Sequence, residues 1–169
     1  MKVVSGPVPW LAAFLLVALP GSPAAQPADE PAEKLPPLLA AKPLKVDPGD
    51  GELRKLLKAR YNEALGEAVD FHRFRHTPFV EWRGDPDDLY QPWQRLVRSG
   101  LVVHDKPDER VTLLTHYLEL VREEEKVQQW RYDAGRVRGK ELHRARYERL
   151  QAEAWLLRAK READAAKGK

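Results

Sequence analysis

His72 and His76 stand four residues apart, a spacing that sets two imidazoles on one helical face where a divalent metal could bridge them. Arg73 and Arg75 lie between and repel a cation, and no carboxylate-plus-histidine motif surrounds the pair, so a surface pair outweighs a metal site. His104, His116 and His143 are isolated and read as ordinary, partly exposed side chains. Asp85, Asp87 and Asp88 in "GDPDDLY" lack the glycine and terminal glutamate of a calcium loop, and capping of a helix start accounts for them. The run Glu123, Glu124, Glu125 reads as a solvated face, because general-acid work needs burial and a partner. There is no phosphate loop, nucleophile elbow or cofactor fingerprint, and beyond Ser22 the chain has one serine, Ser99. An enzyme is not expected, and no cofactor is called for.

These residues must be positioned by one modest domain: 169 residues, 43% hydrophobic and 33% charged. With no cysteine, disulfides and thiolate zinc sites are excluded, so packing alone must hold the fold. The amino terminus runs from Lys2 through the apolar "WLAAFLLVAL" to a Pro-Gly break and "SPAA", the order of a secretory signal ending at Ala24 or Ala25. The competing reading is an uncleaved anchor, but Gly6, Pro7 and Pro9 leave the clean apolar run short of the ~20 residues a spanning helix needs. A periplasmic or secreted location follows. Residues 26–50 hold six prolines, which denies them helical hydrogen bonding and predicts a disordered, solvated tether; Leu38, Leu39 and Leu44 follow no period.

From residue 51 to 169 the pattern is helical, and an antiparallel helical hairpin or small all-α, coiled-coil-like bundle is the expected fold. Leu53, Leu56, Leu57, Tyr61, Ala64, Leu65 and Ala68 step by three and four, predicting a helix over 52–74 with Asp50 as its cap. Asp85 and Pro86 open a second over 86–98, closed by Ser99 and Gly100. Pro107 opens a third over 107–134, behind the poor cap Lys106, on the stripe Val111, Leu114, Leu118, Val121. The fourth, over 139–166, carries Leu142, Ala145, Arg149, Ala152, Leu156, Ala159 and Ala163, its alanines allowing close approach. Gly135 sits where the third helix must stop, so the chain is expected to reverse through Gly135, Arg136, Val137 and Gly139, with Arg136, Arg138 and Lys140 exposed around the turn. Phe79, Trp82, Tyr90 and Trp93 are expected to close the end of the core rather than form a ligand platform. The shared Ala-Arg-Tyr of residues 59–61 and 145–147 is a faint sign of duplication, of a kind that chance also produces.

Tyr132, Ala134, Gly135, Val137, Glu141, Leu142, Ala145 and Arg146 together resemble the helix-junction pattern of TolC-like outer-membrane efflux proteins. That family carries Ser or Thr where Arg138 stands, and its members are far longer and build a membrane barrel from strands that nothing here patterns. The resemblance covers some 20 residues strongly. It implies an exported coiled-coil-like α-hairpin that packs beside such hairpins or mimics them. Residues 131 to 169 hold 12 Lys or Arg against 6 Asp or Glu, so the carboxy-terminal helix could also attract an anionic surface. Partners are therefore expected through the helices, from another protein or by self-association, and export makes nucleic acid the least expected. The alternative from another class is an exported metal- or stress-responsive helical sensor or chaperone using His72 and His76.

Overall fold

The computed structural model describes residues 35–76 and 88–168, all within one compact unit, Lys34–Lys169. Four helices follow one another: α1 (Glu52–His76), α2 (Gln91–Val103), α3 (Pro107–Asp133) and α4 (Gly139–Lys167). The described residues form an all-α fold of two antiparallel pairs, α1 with α2 and α3 with α4, joined where α2 meets α3. In the first pair, Phe71 stacks edge-on against Trp93, Arg95 reaches back to Glu67, and Arg54 donates to the Val103 carbonyl at 2.8 Å, so residue numbers rise along α1 as they fall along α2.

The core runs through all four helices. Leu96, Val97, Leu114, Tyr117, Val121, Ala145 and Ala152 have at most 1% of their surface exposed, and each buried aliphatic side chain of this size contributes about 1.5–3 kcal/mol. Tyr90 and Trp93 are equally buried and meet edge-on, closing the core as the sequence leads one to expect, whereas Phe79, Trp82 and the expected cap Asp85 lie outside the described residues.

Five sequence expectations give way. The second helix begins at Gln91 rather than Pro86, because residues 88–90 form a turn and Pro92 supplies the first-turn proline; its other end runs through Ser99 and Gly100 to Val103. Gly100 is no terminator: a Cβ there would lie 2.6 Å from Leu113 Cδ2 and 3.3 Å from Tyr61 Cε2, so glycine is what lets α1 and α3 close on α2. Within the described part of the expected tether, residues 35–50, a turn with Leu39 N donating to Pro36 O at 2.8 Å buries Leu38 and Leu39 to 1% and 2% exposure. The Asn62 side chain pins this segment, accepting from Leu44 N at 2.7 Å and donating to Leu44 O at 2.9 Å, which satisfies the backbone of Leu44 outside any helix. Asp50 turns away from capping; its carboxylate takes Asp47 N and Lys58 Nζ, and the hydrogen bond from Lys58 holds it below the usual carboxylate range. The α1 stripe also rotates at its start, leaving Leu53 and Leu56 exposed while Lys58 is buried with Asp50.

The two Ala-Arg-Tyr segments occupy opposite environments: Tyr61 is buried and Ala59 exposed, whereas Ala145 is buried and Tyr147 exposed. They are not equivalent positions of a repeated unit.

Gly100→Val is expected to destabilise the fold by about 1–3 kcal/mol through overpacking. Gly66→Ala, on the exposed face of α1 with nothing within 4 Å of its added Cβ, is expected to stabilise it by about 0.5–1 kcal/mol. Urea denaturation of both variants checks the contrast, and equal effects at the two glycines would remove the close-approach argument.

Candidate functional site

The α3/α4 hairpin and its turn form the candidate site. α3 stops because Gly135 adopts φ +66°, a left-handed conformation natural to glycine. Gly135 N donates to Tyr132 O at 2.9 Å and Arg136 N to Arg131 O at 2.8 Å, the paired bonds that close a helix end on such a glycine. Arg136 then lays its guanidinium 4.8 Å from the centre of the Trp130 ring. α4 restarts at Gly139 behind an extended Arg138 that offers no side-chain cap, only its carbonyl to Glu141 N at 3.3 Å. Around this end Trp130 and Tyr132 stand roughly half exposed, and Arg136, Arg138 and Lys140 are exposed, while Val137 and Gly139 are half-buried; Tyr147, also half exposed, lies two turns into α4 beside Arg144. The tip is thus both aromatic and cationic.

Below it the two helices zip together antiparallel. Arg146 donates to Gln129 at 2.9 Å, Arg149 to Glu125, Arg122 to Glu153 at 3.0 Å, and Lys167 pairs with Asp108 at 3.0 Å, a ladder running the length of the pair. Leu114, Leu118, Val121, Leu142, Ala145, Ala152, Leu156 and Ala159 are all buried along the seam, and the alanines let the helix axes draw close. Arg149, which the period placed on this stripe, instead stands at the seam's edge, bonded to Glu125 and Glu153. Hydrogen bonds from Arg122 and then Arg149 hold the Glu153 carboxyl below the usual range.

Two buried carboxylates fasten this hairpin to the first pair; from the sequence Glu148 is passed over and Glu124 is placed in solvent. Glu148, with no exposure, accepts Gln94 Nε2 at 2.8 Å on both oxygens and Tyr117 Oη at 3.2 Å, and pairs with Arg144 at 2.8 Å. Glu124, expected on a solvated face, is buried and holds Arg75 by two bonds of 3.0 and 2.9 Å, with Gln128 donating at 2.6 Å. Arg75 in turn lies 5.5 Å from the Trp93 ring centre. Only Glu123 fits the solvated expectation, exposed beside Lys126; Glu125 is half-buried at the seam. The signal for Glu148 was present, since it continues the steps of three and four from Ala145 to Ala152 as well as Arg149 does. Burial, foremost, pushes the Tyr90 and Tyr117 hydroxyls far above the ordinary tyrosine value, so both stay protonated; Tyr117 donates to Glu148. Each carboxylate is matched by its own arginine, an arrangement suited to locking helices in register rather than to proton transfer.

The His72 and His76 rings are 4.3 Å apart between centres, His72 buried and His76 exposed. Among the described residues no three potential ligands gather to hold a metal ion, and Asp88 is exposed and accepts from Gln91 at 2.7 Å. No helix among the described residues is long and apolar enough to cross a membrane. On the side of the α3/α4 pair away from α1 and α2, a groove of about 760 Å³ runs beside Trp130, Lys126 and Arg149, and a second of about 440 Å³ beside Leu156, Leu157 and Lys160; Glu119 and Arg122 line both. Compared with protein-family models, with curated proteins and with solved structures, the chain gives no match.

Glu148→Ala leaves Arg144 and Gln94 without their acceptor and is expected to cost roughly 3 kcal/mol, read from the urea midpoint. A loss under about 0.5 kcal/mol, the scale of an ordinary surface change, would show that the buried cluster is dispensable. Glu153 also sets a pH dependence. Because its folded carboxyl titrates below the unfolded one, its contribution is complete above the usual glutamate range and is lost as pH falls through the lowered folded value. The melting temperature should therefore drop on acidification, with Glu153→Gln flattening part of that limb and changing neutral stability by less than about 1 kcal/mol.

Proposed function

We propose that this chain is a non-enzymatic, exported helical interaction module of the bacterial envelope, working beside a TolC-like efflux assembly. The observation that supports the reading best is the free end of the α3/α4 hairpin, where Trp130 and Tyr132 stand exposed beside the turn that carries Arg136, Arg138 and Lys140. Half-exposed aromatic side chains beside arginine are the groups that carry most binding energy when a partner covers them. The turn that presents them is the same Ala134-Gly135 junction on which the likeness to TolC-like hairpins rests. Under this reading the buried ion pairs serve rigidity, and specificity lives at the tip.

Two measurements test it. The mature chain recovered from a periplasmic or envelope fraction should begin at Ala25 or Gln26, and an intact Met1 in the cytoplasm would remove export. A photo-crosslinker at Tyr132 or Arg138 in intact cells should capture an envelope protein that itself carries a helical hairpin. The same probe at Glu63, on exposed α1, should not. Equal capture from both positions, or none from the tip, would overturn the module.

A further inference from the structure

No described residue covers the face of the α3/α4 hairpin turned away from α1 and α2, and its composition says what fits it. The two grooves that share Glu119 and Arg122 make it continuous along the pair. At about 1.5 Å per residue α3 runs roughly 40 Å, and two helices side by side are roughly 20 Å wide, so the face approaches the ~800 Å² per partner that a stable pair buries. Leu150 at 55% exposure and Leu157 at 59% are its apolar groups.

Net charge differs between the two sides of this face. Along the grooves α3 brings Glu119, Glu123, Glu125 and Asp133 against Arg122 and Lys126, and α4 brings Arg149 and Lys160 against Glu153. Glu119 and Lys160 flank the same groove, and no ion pair or hydrogen bond of either side chain occurs among the described residues. An anionic bilayer would meet the net-negative α3 side unfavourably. A second copy meets no such conflict. A two-fold axis parallel to the hairpin keeps every residue at its own height and lays α3 of one copy over α4 of the other. Glu119 then faces Lys160 of the second copy, reciprocally, while Leu150 and Leu157 turn inward.

We infer that this face binds the same face of a second copy of the chain, the two α3/α4 hairpins forming a four-helix arrangement with net-acidic α3 edges against net-basic α4 edges and Glu119 against Lys160. The inference rests on the reading of the hairpin as an interaction module, and gives one of its two surfaces a partner; the tip remains for the other.

Sedimentation of the full chain at roughly 100 µM should give a dimer. Leu157→Glu is expected to weaken it by about a hundredfold, with unchanged helical circular dichroism as the control for folding. Glu119→Lys and Lys160→Glu should each weaken it by about tenfold, and the two together in one chain should restore it, because the pairing is reciprocal. A monomer at that concentration, or a dimer indifferent to all three changes, would overturn the inference. So would cosedimentation with phosphatidylglycerol vesicles that Leu157→Glu abolishes in a chain that stays monomeric, which would assign the face to a membrane. Capture of another hairpin protein at the tip by a monomeric chain would leave the module standing and remove only the dimer.

Discussion

A carboxylate without any exposure, that of Glu148, is held at once by Gln94 from α2, Tyr117 from α3 and Arg144 from its own helix. Burying a carboxylate is costly unless its oxygens are hydrogen-bonded and its charge is matched. Arg144 matches the charge within α4, and the bonds from Gln94 and Tyr117 form only when the first helix pair sits on the second in one register. The Arg75–Glu124 pair spans α1 and α3 directly. Apolar packing would tolerate small slides between such smooth, alanine-rich helices, whereas two buried carboxylates bonded from other helices do not. The fold thus draws its stability from leucine and alanine contacts and its uniqueness from these two carboxylates.

The hairpin that these pairs anchor has three different surfaces. One is taken by α1 and α2. The tip gathers half-exposed aromatic rings and cations around a glycine-made turn. The remaining face is amphipathic without being uniformly charged, net acidic along α3 and net basic along α4. α4 in particular bears apolar residues on opposite sides, Ala145, Ala152 and Ala159 toward the seam, and Tyr147, Leu150 and Leu157 toward solvent. A helix built that way is suited to more than one neighbour.

Glycine has a different duty at each of two positions. At Gly135 it permits a backbone conformation that a Cβ would strain, and it ends a helix. At Gly100 the backbone is ordinary helix, and the missing Cβ makes room for Leu113 and Tyr61. A residue that looks like punctuation in both places is punctuation in only one.

Helix periodicity, proline at the starts of helices and glycine at the turn are local properties, and they determined the all-α class, the extents of α1, α3 and α4 to within two residues, and the reversal at Gly135. The seam of α3 and α4 was legible for the same reason, since Leu114, Leu118, Val121, Leu142, Ala145 and Leu156 repeat on their own helices whatever lies opposite. What depended on a neighbour could not be read. Glu148 and Arg149 satisfy the same spacing, and only the position of Gln94 and Tyr117 decides which turns inward. Glu124 sits in a run of three acids, and only Arg75, distant in sequence, takes it out of solvent. Leu38 and Leu39 follow no period, and a core surface built by later residues gives them a place. Local spacing sets which side of a helix a residue is on; the energy of burying a charge or an unpatterned leucine depends on what the rest of the chain brings there, and that is decided only in three dimensions.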